Sequence, residues 1–530
     1  MVARRSAIDF AFGMFDIQGG FAVSHQYDRS PGIVRPGDPV TLRATTVPGY
    51  SEVNAYVLDG SGPYTPTEIR DRGHQVPFYR SGDDWVATLP ARPDRTTVHY
   101  VVEAIHESGE HHYGDGRLPL HKARVFTHRS TTRRPPEWTR QAVVYQIFVD
   151  RFANERGKLA VPQNERDFAG GNIQGVTANL DWFEDLGVNC IWLTPVFECS
   201  SYHGYDTVDF KKVDDRFGGD EALRDLIESA HARDIRIILD FVPNHISSDH
   251  PWFQSALDEG PERDWFFIED NGSYQSFFSS KTMPKVNLDH PGARAAMIDI
   301  AEHWVREFGV DGYRIDHALG PSESFFAALT EAVEAIDPDV WMFGEVTATA
   351  QKCRQYGGVL DGVTDFAYAY GVRALLSGIA TPRDFAEIER ESAAVFSPDE
   401  FSWVRFFDNH DMGRAAHVWD DDPERLESAL HMLFSIPGCP SFFYGTETAL
   451  SHEVGEDVGG LEVGRVPMRF DQDHPMYQIT KREIAAWRQS ANSQATPMYW
   501  SDDGTSWTWG DLSGDVPAVD LENPEPRTQN

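Results

Sequence analysis

Four acidic residues stand where short apolar runs end. Asp240 lies in IRIILDF (235–241), Asp316 follows GYRI (312–315), Glu345 closes VWMFGE (340–345), and Asp411 follows FSWVRFF (401–407) in the stretch DNHD. Asn244 and His245 come just after Asp240, Arg314 precedes Asp316 by two residues, and His410 adjoins Asp411. Carboxylates gathered at one mouth suit the cleavage of a glycosidic bond. One attacks the anomeric carbon while a protonated one donates to the leaving oxygen. Both roles coexist near neutrality only if the surroundings push the two pKa values apart. Arg314, at i−2, shares a strand face with Asp316, and its guanidinium is expected to keep Asp316 ionised for attack. Burial among other carboxylates is expected to raise Glu345. Taken singly, each residue has a plainer reading, because an Asp at a strand end often caps a helix. Their joint spacing carries the argument.

These residues meet only if the runs that bear them lie side by side. Eight apolar runs are expected as strands: 143–148, 189–193, 235–241, 312–315, 340–345, 363–368, 401–407 and 441–444. Amphipathic segments such as EALRDLIESAHAR (221–233), ARAAMIDIAEHWVREF (293–308) and ESFFAALTEAVEAI (323–336) alternate with them. This alternation predicts an α/β fold, a closed (β/α)₈ TIM barrel, in which functional groups collect at the C-terminal strand ends. An open doubly wound sheet is disfavoured, because no Gly-rich nucleotide loop follows the first strand. The barrel is expected over 136–474, with a small excursion at 243–290 after its third strand, since so long a connection is usually functional. Residues 1–135 hold short alternating segments and predict an N-terminal β-sandwich. STTRRPPEWTR (130–140) reads as a linker. Residues 475–530 read as a shortened C-terminal β domain (TPMYW, TSWTWG) ending in an acidic tail.

Composition narrows the partners. The chain has 530 residues, too many for one core, and a formal net charge of −36 from 83 acidic and 47 basic residues. Such a chain repels nucleic acid and anionic membranes. Only eight of the basic residues are lysine, and an acidic, lysine-poor surface fits work at high salt. Four scattered cysteines (190, 199, 353 and 439) form no metal or redox spacing and are expected free. No apolar run is long enough to span a membrane. The opening residues lack a secretory pattern, so a cytoplasmic location is expected.

DFVPNH (240–245), DGYRID (311–316), FGEV (343–346) and FFDNHD (406–411) resemble, in order, the four conserved segments of the α-amylase family of glycoside hydrolases. MPKVNLDH (283–290), GVNCIWLTPV (187–196), YQIFVDRFAN (145–154) and HGYDTVDF (203–210) agree with it. DDWVATLP and TTVHYVVEA resemble the sandwich of neopullulanases, cyclomaltodextrinases and maltogenic amylases. The resemblance implies Asp316 as nucleophile, Glu345 as acid/base, and Asp411 as the third carboxylate. It further implies Tyr205, His245, Arg314 and His410 as sugar contacts, with Asp240 and Asn244 beside them. An α-glucan is the implied substrate, with water as acceptor, or a second sugar in a glucanotransferase. A non-catalytic binding homologue is disfavoured by the intact carboxylates. No cofactor is required. Calcium at Asp150, Asn154 and Asn172 is implied from some relatives, and so is a homodimer. HALGPS after Asp316 departs from both common family patterns and leaves the subclass open.

Overall fold

The computed structural model describes residues 21–157, 159–160, 162, 166–452, 463–490, 498–500 and 507–509. The opening segment and the acidic tail lie outside them.

Residues 21–130 form two antiparallel five-stranded sheets. One contains Val40–Thr46 paired with Asp84–Leu89, and the other Tyr50–Asp59 paired with Thr96–His106. Alternation explains the packing. In VTLRATT, Val40, Leu42 and Ala44 turn inward while Arg43 and Thr45 face solvent. They meet Val53, Val57, Trp85, Val98, Tyr100 and Val102 in a separate core.

Eight parallel strands close the barrel in sequence order: β1 (Val144–Ile147), β2 (Cys190–Leu193), β3 (Arg236–Phe241), β4 (Gly312–Ile315), β5 (Trp341–Gly344), β6 (Gly362–Thr364), β7 (Ser402–Arg405) and β8 (Cys439–Phe443). Each of the eight expected runs contains or overlaps one of them. The sixth is shorter than its apolar pattern, because Asp365 caps the helix Phe366–Leu376 by accepting from the Tyr368 N–H at 2.9 Å. Strand alternation sets two radial layers. Outward residues such as Tyr145, Ile191, Leu239 and Tyr313 pack under the helices. Inward residues Val144, Cys190, Ile238, Trp341, Val404 and Cys439 fill the barrel floor. One step higher on the same inward rows come Gln146, Trp192, Asp240 and Arg314. Gly312 leaves room on this row, since a Cβ there would meet the Trp341 carbonyl oxygen at 2.5 Å.

Two readings change. STTRRPPEWTR has a linker's composition, yet Arg133 is pinned: Nε and Nη2 each donate to Asp361 at 2.8 Å, just before β6. A planar guanidinium matched to both carboxylate oxygens gives a fixed fork. Arg29, Arg35, Arg124 and Arg129 also bond from the sandwich side to the barrel. The second change is at residue 475. Pro475–Ser490 is a helix packed against Pro423–Ser435 and Leu180–Leu186, not the first part of a β domain. Its apolar spacing is helical, with Met476, Tyr477, Ile484 and Trp487 buried. Beyond it, the described residues show one antiparallel pair, Met498–Trp500 with Trp507–Trp509.

The excursion between β3 and the helix Pro291–Phe308 holds the helix Pro251–Leu257 and short turns, tied down by Trp252, Phe253, Trp265 and Phe266. All four cysteines are free and buried. Among the described residues, no helix is long and apolar enough to cross a membrane.

Candidate active site

Register brings the central carboxylates together. Asp240 pairs with Arg314 across β3 and β4, and Ile315 pairs with Gly344 across β4 and β5. Asp316 and Glu345, each one residue further on, therefore emerge side by side at the C-terminal mouth. Arg314 is their common partner. Nη1 lies 2.8 Å from Asp240 Oδ1 and 2.8 Å from Asp316 Oδ1, and Nη2 lies 3.0 Å from Glu345 Oε1. Exposure grades outward: the side chain of Asp240 is 0 % exposed, Asp316 8 %, Glu345 14 % and Asp411 32 %.

Burial is the largest influence on the inner three. It pushes Asp240 up to about 6, Asp316 to about 7 and Glu345 to about 7, with Arg314 opposing in each case. Arg314 thus does not single out Asp316, as its i−2 position led one to expect, because its fork also reaches Glu345. Asp316 and Glu345 titrate as a pair around one cation. Asp411 differs. Burial works to raise it, but the Arg465 and Arg314 cations and the hydrogen bond from Arg465 oppose burial, and its pKa ends below the usual value.

A directed chain of bonds orders the rim. Gln146 Nε2 donates to His410 Nδ1 at 2.7 Å, leaving His410 Nε2–H to face the Tyr205 hydroxyl at 2.5 Å. The Tyr205 hydroxyl donates to Asp240 Oδ2 at 3.1 Å, beside the Trp192 indole N–H at 3.2 Å. Burial lowers His410 to about 3, so this imidazole is neutral. Tyr205 lies parallel to the His410 ring, 5.4 Å between centroids. His245 is fully buried under Phe277, at 4.4 Å. Asp240 is buried and fixes Arg314 and Tyr205, accepting from Nη1 at 2.8 Å and from the hydroxyl at 3.1 Å. Asn244 is likewise buried, against the loop after β4, where a Cβ on Gly320 would meet its Oδ1 at 1.9 Å. His245 and His410 are buried to the same depth.

The turn after Asp316 contributes as well. His317 has φ 41°, uncommon for a residue with a Cβ, and its N–H donates to Glu345 Oε2 at 2.9 Å. Phe277 and Phe278 of the excursion reach the His317 ring at 5.0 and 5.8 Å.

Residues 146–512 match the family model described as alpha amylase, catalytic domain. The chain belongs to the α-amylase family. "Alpha-amylase 2" of Dictyoglomus thermophilum is 37% identical over 345 residues, covering 64% of this chain and 61% of that protein. "Intracellular maltogenic amylase" of Bacillus subtilis is 32% identical over 382 residues, covering 69% and 64%. A solved structure titled "Cyclomaltodextrinase" superposes with a TM-score of 0.66 at 25% identity, over 92% of this chain and 89% of that one. The chain spans somewhat over three fifths of the length of the first two curated relatives.

The calcium expected for this α-amylase-family chain does not suit its residues. Asp150 accepts from the Gly170 and Ala169 N–H groups at 3.1 and 2.8 Å, and the Arg151 guanidinium lies against it. Asn172 Oδ1 caps the helix Ile173–Thr177 by accepting from the Gly175 N–H at 2.9 Å, and Asn154 Oδ1 accepts from the Arg156 N–H at 3.0 Å. The Arg151 guanidinium already neutralises Asp150, and the two asparagine oxygens are engaged as hydrogen-bond acceptors, so among the described residues these three side chains do not converge on one cation.

Sequence reasoning missed Gln146, Trp192 and Arg465 in this α-amylase-family site. For Gln146 and Trp192 a signal existed: each occupies an inward position near the end of an early strand. Arg465 had none, being 54 residues from the Asp411 it contacts and on no barrel strand.

Proposed function

We propose that this α-amylase-family chain cleaves α-1,4-glucosidic bonds in maltooligosaccharides and cyclodextrins by double displacement with retention. The observation that carries the reading is the single Arg314 guanidinium joining Asp316 and Glu345 at adjacent strand ends. Retention wants a close carboxylate pair, roughly 5–5.5 Å apart. The names of the maltogenic amylase and cyclomaltodextrinase relatives support the substrate class. Asp316 attacks the anomeric carbon while Glu345 protonates the departing glycosidic oxygen. Glu345, now ionised, then takes a proton from water, which hydrolyses the glycosyl ester and frees Asp316. Asp411 stabilises the oxocarbenium-like transition state, and Tyr205, His245 and His410 hold the sugar.

Maltotriose incubated with the protein in about 2 M KCl, where charges are screened within a few ångströms, is expected to yield glucose and maltose. The rate is expected to drop in dilute buffer, because the −36 charge is then unscreened. Early maltotetraose would make a sugar the acceptor, and intact maltotriose would overturn the reading. A cytoplasmic setting is supported by the intracellular relative, and a homodimer through the sandwich is supported only by the resemblance of that region to the maltogenic amylases.

The pH profile follows from the coupled pair. The working form carries one proton between Asp316 and Glu345. As pH rises through about 7, Glu345 loses that proton, and kcat falls about tenfold per pH unit. As pH falls, both become protonated and the nucleophile is lost, so a bell is expected. A rate still climbing at pH 9 would contradict the assignment. We further propose that catalysis is independent of calcium: excess EDTA is expected to leave kcat and Tm unchanged, and loss restored by calcium would refute this.

A further inference from the structure

Arg465 enters the site from the segment after β8. Its guanidinium bonds in three directions. Nη2 meets Asp411 Oδ1 at 2.9 Å, Nη1 donates to the Tyr202 hydroxyl at 2.8 Å, and Nε donates to the His410 carbonyl at 2.8 Å. The group also rests on the rings of Phe148 and Tyr202, 5.1 and 5.8 Å from their centroids, with its side chain 7 % exposed. A planar fork held on several edges and on its faces has little freedom left.

The site divides its cations unequally. Asp240, Asp316 and Glu345 share Arg314, whereas Asp411 pairs with Arg465. Asp411 is also the most exposed of the four carboxylates, and so the one with most room to change rotamer. Its other oxygen lies 3.3 Å from His410 Nε2. Through Asp411 Oδ1 and the His410 carbonyl, Arg465 grips both the carboxylate and the backbone that presents it.

We propose that Arg465 is a positioning residue, which locks Asp411 in one orientation before substrate arrives. The inference rests on the hydrolase reading above. A carboxylate preset for charge that develops during reaction acts on the transition state more than on the bound sugar. Loss of the clamp should therefore appear in kcat, not in KM.

Steady-state kinetics on maltotriose, with thermal unfolding alongside, test this in Arg465→Gln and Arg465→Lys. In Arg465→Gln, kcat is expected to fall about 10–100-fold, the scale of a misplacement of about 1 Å, with KM within about threefold and the thermal transition intact. Arg465→Lys keeps the charge but not the fork, and is expected to recover part of the loss. A wild-type kcat in the Gln variant, or a loss carried by KM alone, overturns the proposal. If the Gln variant does not fold, the Lys variant decides: reduced kcat at unchanged KM supports the clamp, and wild-type kcat refutes it. Wild-type protein that leaves maltotriose intact overturns the hydrolase reading itself, a result separate from either variant's.

Discussion

Asp316→Asn is expected to lower kcat on maltotriose by about 10⁴-fold or more, the usual scale for removing a nucleophile. An amide cannot form the glycosyl ester, yet it matches the carboxylate in size. It still offers Arg314 Nη1 an oxygen at the position of Oδ1, now 2.8 Å away. Arg314 keeps Asp240 and Glu345 as ionic partners, so the mouth should hold its shape. Calorimetric titration of the variant should therefore still register maltotriose binding. A variant that turns over at more than about a tenth of the wild-type rate would remove Asp316 from the mechanism.

Glu345→Gln is expected to cost about 10²–10⁴-fold on maltotriose, the range for general acid–base catalysis. The loss should depend on the substrate. An aryl α-maltoside with a good leaving group needs no proton to depart, so its first step should be nearly unimpaired and the glycosyl ester should accumulate. Azide needs no general base and should relieve the second step. Two displacements return the original configuration, so the azide product should be the α-anomer. A β-configured azide would mean that Asp316 and Glu345 had been given each other's roles. Unaltered hydrolysis of maltotriose would mean that neither role belongs to Glu345. Glu345 meets the His317 N–H with Oε2 and Arg314 Nη2 with Oε1, and Gln can accept from only one of these two donors, so thermal unfolding should be followed beside the kinetics to separate lost chemistry from lost packing.

Much of the barrel was legible because it is written locally. Runs such as NCIWL and IRIILDF alternate with helical periods, and both periodicities follow from backbone geometry alone. The ends of those runs marked Asp240, Arg314, Asp316, Glu345 and His410, since inward strand positions near a barrel mouth must become polar. Pro475–Ser490 was misread because its neighbours, rich in Trp and Tyr, drew the whole tail into a strand pattern. Arg133 was read as linker because composition does not reveal a partner such as Asp361, 228 residues away.

The sequence by itself determined which carboxylates reach the mouth, because the period of a strand decides which side chains turn inward. Only the tertiary structure decided how their charges are shared. Arg314 serves three carboxylates, and not Asp316 alone, because closure of the barrel sets β3, β4 and β5 at one register. The depth of Asp240, Asn244, His245 and His410 behind the mouth was likewise set by barrel closure, and no local pattern encodes it. Arg465 became the partner of Asp411 because a segment beyond the last strand folds back over the mouth, and a contact so distant along the chain leaves no periodic trace.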